Sequence, residues 1–130
     1  MPTISGEFDI VQRPLEGYVE GVGQVQFARL SIDKVFRGPL NATSRGEMLS
    51  AQGSGGAGYV AIEQVDGTLD GKQGTFVLQH FGTMHDGDYR LILEVVPGTG
   101  TEGLTGLSGT MSINLRDGQH FYDFAYTFST

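Results

Sequence analysis

The chain has no cysteine, which excludes a disulfide framework, a thiolate nucleophile and a thiolate-held zinc. Basic residues are scarce: 8 Lys and Arg stand against 15 Asp and Glu, a formal charge of -7 over 130 residues. That balance opposes a phosphate backbone or an anionic membrane as partner. No apolar run approaches the length of about eighteen residues that a membrane helix needs. Met1 to Ile10 lacks the basic and then apolar regions of a secretory signal. A cytoplasmic protein with neither nucleic acid nor membrane as partner is expected. Also missing is any window with the apolar period of a helix. What remains is 38% hydrophobic and only 18% charged, enough apolar material for one core, so residues 1–130 are expected to form one domain.

Glycine is abundant, 21 residues spread along the whole chain. Between the glycines lie segments rich in Val, Ile, Thr, Phe and Tyr, the pattern of many strands joined by tight turns. The clearest alternation is Gly109 to Arg116, with Met111, Ile113 and Leu115 on the core face and Thr110, Ser112 and Asn114 opposite. Asp117-Gly118 then turns the chain back into a strand with His120, Tyr122, Phe124, Tyr126 and Phe128 on one face. The same grammar predicts eight strands, at 3–12, 24–37, 44–52, 58–69, 74–84, 88–96, 109–116 and 119–129. Asp70-Gly71, Asp86-Gly87 and Gly53-Ser54-Gly55-Gly56 supply further turns. So many consecutive hairpins remove their free edges by closing, which predicts an all-β, eight-stranded antiparallel up-and-down barrel. Gln12 to Gly23, with Pro14 and three glycines, reads as a loop at one barrel mouth. Pro97 to Leu107 reads as a long connection pinned by Leu104 and Leu107, since no Lys follows its glycines at the spacing of a phosphate-binding loop.

Gly67 to His80, reading GTLDGKQGTFVLQH, together with the Pro97 to Gly109 loop, resembles an uncharacterised bacterial family, domain of unknown function 3224. Phe36-Arg37-Gly38, Glu47-Met48-Leu49, Tyr59 to Glu63 and His120 to Tyr126 extend the resemblance over essentially the whole chain. The chain departs from the family pattern at Thr99, where Ser is usual, and at Glu102-Gly103, where a Gly-Glu pair is usual. The resemblance implies a barrel similar to that of the plant allene oxide cyclases. It does not imply their activity, and function has to be argued from the site.

Among groups that could carry chemistry, His80 shares a face with Phe76 and Leu78, either as a hydrogen-bonded histidine at the core edge or as an acid or base reaching into a cavity. His85 lies in a turn, and His120 begins the last strand. No His-x-His pair occurs and no serine sits in Gly-x-Ser-x-Gly, so neither a metal nor a serine triad is expected, and no cofactor. Glu63 shares a face with Tyr59, Ala61 and Val65. The opposite face, Val60 and Ile62, is equally apolar, so alternation leaves open which side points inward. If Glu63 points inward it is a desolvated carboxylate suited to proton transfer. Arg29 and Glu47 lie on neighbouring strands and could pair across the ladder or clamp a ligand. Phe76, Tyr122 and Tyr126 are expected to line an interior cavity with His80 and Glu63.

Three functions fit these residues. The first is a barrel that binds a small apolar or amphipathic molecule. The second is a cofactor-independent isomerase or cyclase using Glu63 and His80. The third is a structural or interaction barrel acting through an outer oligomeric face, and a homo-oligomer is expected because both faces of the fourth and fifth strands carry apolar residues.

Overall fold

The computed structural model describes residues 2–129, so the two ends of the expected domain, residues 1 and 130, lie outside it. Eight strands follow in order: β1 (Thr3–Leu15), β2 (Gln26–Arg37), β3 (Leu40–Gln52), β4 (Gly56–Leu69), β5 (Lys72–His85), β6 (Asp88–Val95), β7 (Leu107–Arg116) and β8 (Gln119–Phe128). Each pairs antiparallel with its sequence neighbours and β8 returns to β1, closing the expected barrel. Among the described residues helix is limited to one 3-10 turn at Glu102–Leu104. No helix among the described residues is long and apolar enough to cross a membrane.

The turns form as their dipeptides dictate. Asp70-Gly71, Asp86-Gly87 and Asp117-Gly118 each place both residues at positive φ, between 48° and 85°, the two-residue turn whose twist matches that of the flanking strands. Most strand ends fall within two residues of expectation, and two differ by more: β3 begins at Leu40 and not at Ser44, and β1 is longer than expected. β1 runs on to Leu15, so the mouth loop spans residues 16–25 and not Gln12 to Gly23. The pairing of β1 with β8 ends at Phe8, and beyond it β1 has only β2 beside it, with Pro14 opposite Leu30. On such a free edge a proline's missing N–H is tolerated.

Inward residues fall into rows across β2 to β5, set by the register. Phe36, Ala42, Gly67 and Gly74 form the lowest. Above them come Lys34, Ser44, Val65 and Phe76, then Ile32, Gly46, Glu63 and Leu78, then Leu30, Met48, Ala61 and His80, and last Ala28, Ser50, Tyr59 and Gly82. Burial falls along this order on β2 and β3, while the inward residues of β5 stay buried from Gly74 to Gly82. The lower rows are sealed, with Phe76 stacked on Phe124 at 5.9 Å and Leu40, Leu69 and Leu104 closing the end, whereas Leu30, Met48 and Tyr59 are only half-buried and Ala28 is exposed. The barrel is therefore packed at one end and opens toward the other along β2 and β3.

The connection between β6 and β7 closes the packed end. Leu104 and Leu107 are buried, as expected. Thr99 Oγ1 accepts the Val77 N–H at 3.0 Å, and Thr101 Oγ1 accepts the Thr75 N–H at 3.0 Å. The connection thus satisfies the edge of β5 beyond Leu78, where its pairing with β6 ends, and the Val96 and Thr101 N–H groups donate to the Val77 and Thr75 carbonyls there. On β7 the alternation holds for Met111, buried, and Ile113, half-buried, with Thr110, Ser112 and Asn114 exposed. Leu115 departs from expectation: it follows the inward side but stands exposed beside the Asp117-Gly118 turn.

Phe76 belongs to the packed end, so Phe76→Ala should lower unfolding free energy by about 3–5 kcal/mol. Ser112→Ala on the solvated wall should change it by about 0.5 kcal/mol or less. Urea unfolding of the two variants measures both.

Candidate functional site: a charged cluster at the base of the open half

The register answers what alternation left open: Glu63 points into the barrel with Tyr59, Ala61 and Val65, while Val60 and Ile62 face outward. Glu63 is completely buried, and three polar side chains around it, Lys34, Ser44 and His80, are buried to all but a few per cent. Lys34 alternates with Ile32 and Phe36 on β2, and Ser44 follows Ala42 on β3, so the strands that bury their apolar neighbours carry both inward. Lys34 Nζ donates to Glu63 Oε2 at 2.8 Å, Ser44 Oγ to Glu63 Oε1 at 2.6 Å, and His80 Nε2 lies 2.5 Å from Oε2. The Lys34 ammonium also lies 5.0 Å from the Phe8 ring centre and 5.6 Å from that of Phe36, whose π-faces attract it. Among the described residues no buried side-chain nitrogen or oxygen lacks a partner.

Two missing side chains make room for this cluster. A Cβ on Gly46, directly across from Glu63, would stand 2.1 Å from the Ile62 carbonyl oxygen and 2.7 Å from the Glu63 Cβ. A Cβ on Gly82 would stand 2.5 Å from the ring of Tyr59, which lies across it. Held there, the Tyr59 hydroxyl reaches to 3.4 Å from His80 Nδ1.

Burial pushes the Glu63 carboxyl upward, but the His80 hydrogen bond and the Lys34 charge outweigh it and hold the group at about 2, below its ordinary 4.5. Glu63 is thus ionised and can only accept, so the proton between it and His80 sits on Nε2. His80 then presents Nδ1 to Tyr59. The Tyr59 phenol is pushed up to about 12, first by burial and then by the neighbouring Tyr89 and Glu63, so it stays protonated and can donate. The arrangement is a line from Tyr59 through His80 to Glu63, with Lys34 balancing the carboxylate from behind.

Of the expected site residues, the structure joins only His80 and Glu63. Phe76, Tyr122 and Tyr126 sit in the packed end, not around a cavity. The Tyr122 hydroxyl accepts the Leu40 N–H at 3.1 Å and donates to the Arg37 carbonyl at 3.0 Å, while that of Tyr126 is held by Asp70. Arg29 and Glu47 form an ion pair on the outer wall, away from the interior. Lys34 and Ser44 went unforeseen. The signal for Lys34 was present, a single cation alternating with Ile32 and Phe36; for Ser44 nothing distinguished it from a solvated serine. No group of three or more His, Cys, Asp or Glu side chains gathers to hold a metal among the described residues.

The protein is thus a closed eight-stranded barrel with a buried, internally neutralised Lys-Glu-His cluster. A family model described as protein of unknown function (DUF3224) matches residues 4–126, and the chain belongs to that family. A crystal structure of a protein of unknown function from the same family, from Shewanella oneidensis MR-1, is 54% identical, with a TM-score of 0.97 over 100% of this chain and 99% of that one. No curated protein matches the chain.

Glu63→Gln at neutral pH leaves the buried Lys34 without a counter-charge and should cost about 3–5 kcal/mol. Because the folded state depresses the Glu63 pKa, the carboxylate's contribution is complete above its unfolded value of 4.5 and is lost as pH falls through about 2. The stability gap between wild type and Glu63→Gln should therefore narrow as pH is lowered from 5 toward 2. Denaturant titrations across that range would show it, and a gap constant with pH would contradict an ionised Glu63.

Proposed function

We propose that the open half of the barrel binds one small amphipathic molecule. Its apolar part lies along Leu30, Met48 and Leu91, and its hydrogen-bonding end meets the Tyr59 hydroxyl and His80 Nδ1. The observation that supports this is the unevenness of the network. Every contact to Glu63 is 2.5 to 2.8 Å, while the Tyr59 to His80 contact, on the side of the open mouth, is 3.4 Å. A bond that long is weak, so a ligand oxygen or nitrogen can take Tyr59's place against Nδ1 at little cost. Half-buried Met48 supplies a flexible wall that can adapt to a guest.

A second reading, proton transfer on the bound molecule, is favoured by the Glu63 carboxylate behind the ring. That carboxylate fixes the tautomer of His80 and aims Nδ1 at the guest, as the carboxylate of a hydrolase triad orients its histidine. The step would move one proton from a ligand carbon to Nδ1 and return it to a different carbon, an isomerisation with no change of oxidation state.

Decan-1-ol and decane, titrated separately against the full chain, test the binding reading. The alcohol should shift the Met48 methyl and His80 ring resonances. His80→Gln should weaken it about five- to tenfold, the worth of one hydrogen bond. Equal effects of alcohol and alkane, or none from either, would count against the site. Incorporation of deuterium from solvent into a bound enone would support the second reading.

A further inference from the structure

The outer wall is not uniformly solvated. On β7 it presents Ser108, Thr110, Ser112 and Asn114, all exposed and polar. Across β3 to β6 it presents a row in direct register, Leu49, Val60, Phe81 and Ile92, every one of them exposed. Ile62 stands one step below Val60 on β4, and Gly58 one step above it. The wall there is a groove of about 690 Å³, with Leu49, Val60 and Phe81 over its floor, Gly58 leaving a gap, and Tyr18 of the mouth loop, 99% exposed, along one side. An apolar patch this continuous on a barrel wall marks a contact surface.

We propose that this wall is covered by a second copy of the same chain, related by a two-fold axis lying along the Leu49 to Ile92 row. The register makes the surface complementary to itself about that axis. Rotation about the row exchanges the step above it with the step below it. Ile62 of one copy then stands over Gly58 of the other, where no side chain projects. Glu94, paired with Gln79 below the row, is brought across from Arg90, paired with Thr83 above it. Arg90 lies over the Phe81 ring at 5.5 Å, so its charge is already placed at the patch edge. At the opposite edge Arg29 and Glu47 neutralise each other. Two chains that each carry -7 repel one another over most of their surface. This wall, with two acids and two bases at its edges, is locally neutral, and an edge of mixed sign suits a copy of itself better than a uniformly charged partner. Because the interface is isologous, each side chain acts twice.

Sedimentation velocity of the full chain over a concentration series is the test. Wild type should be dimeric, and Val60→Glu and Ile62→Glu should raise the dissociation constant at least tenfold, with circular dichroism and urea unfolding confirming that each variant remains folded. Arg90→Glu should also weaken the dimer by sedimentation, since it sets a second carboxylate against Glu94. The exchange of both, R90E with E94R, should restore the wild-type constant to within about threefold. A wild type that stays monomeric overturns the proposal, and so does a dimer indifferent to Val60→Glu. Failure of the double exchange to rescue overturns the two-fold axis along the row. A monomer whose groove takes up the apolar dye 8-anilinonaphthalene-1-sulfonate, with uptake lost in Val60→Glu, assigns the wall to a different occupant and likewise overturns it.

Discussion

A carboxylate with no access to water must be neutralised and given hydrogen bonds, or it destabilises the fold that encloses it. Glu63 meets that condition through three donors from three strands: Lys34 on β2, Ser44 on β3 and His80 on β5. None of the three is local in sequence to Glu63, so the cluster exists only in the correct register of four consecutive strands. A slip of one residue in any of them would turn its donor to the outer wall. The buried ion pair is thus tied to the register of half the barrel, whatever its net worth to stability.

The same constraint divides the barrel into two ends. Below Glu63 the interior is filled by two ring pairs, Phe8 with Phe36 and Phe76 with Phe124, and the Tyr122 and Tyr126 hydroxyls are used on backbone and on Asp70. Above it the inward residues shrink or yield: Ala61, Gly82, Ser50 and Ala28 leave space, and Met48 and Leu30 are only half-covered. A polar floor between a solid base and a thinly lined upper half places the one histidine edge not held by a short bond on the open side. The Tyr122 and Tyr126 hydroxyls of the base are already engaged by Leu40, Arg37 and Asp70.

The strands and turns were legible in the sequence because their signals are local. Asp-Gly pairs demand positive φ, and alternation over eight residues such as Gly109 to Arg116 admits one secondary structure. The expectation that Phe76, Tyr122 and Tyr126 share a cavity with His80 and Glu63 was right about the inward face of each strand and wrong about height along the barrel. Height depends on stagger between strands, which alternation does not encode. Arg29 and Glu47 were correctly paired, but their face was undetermined because apolar residues flank both sides of their strands. Lys34 was overlooked because a lone lysine among apolar neighbours is most often a strand's solvated edge; its value as a counter-charge is apparent only when Glu63, 29 residues away in sequence, is known to be buried beside it.

β4 carries the features that local reading could not resolve, and the reason is physical. A strand with one solvated face should alternate apolar with polar. Tyr59, Val60, Ala61 and Ile62 do not, and Glu63, the one charged residue of that segment, points inward. The inner apolar residues are explained by the core, and Glu63 by its cluster. Val60 and Ile62 have no such explanation within the monomer, since they are 50% and 57% exposed. Leu49, Phe81 and Ile92 extend the anomaly in register across β3, β5 and β6. An apolar row that crosses four strands costs solubility for as long as water covers it. The economical account of its persistence is a surface that meets it, and the strand that presents this row outside is the one that positions Glu63 and Tyr59 inside. Contact on the outer wall would therefore stiffen the backbone that sets the Tyr59 to His80 distance, coupling association to the geometry of the interior site.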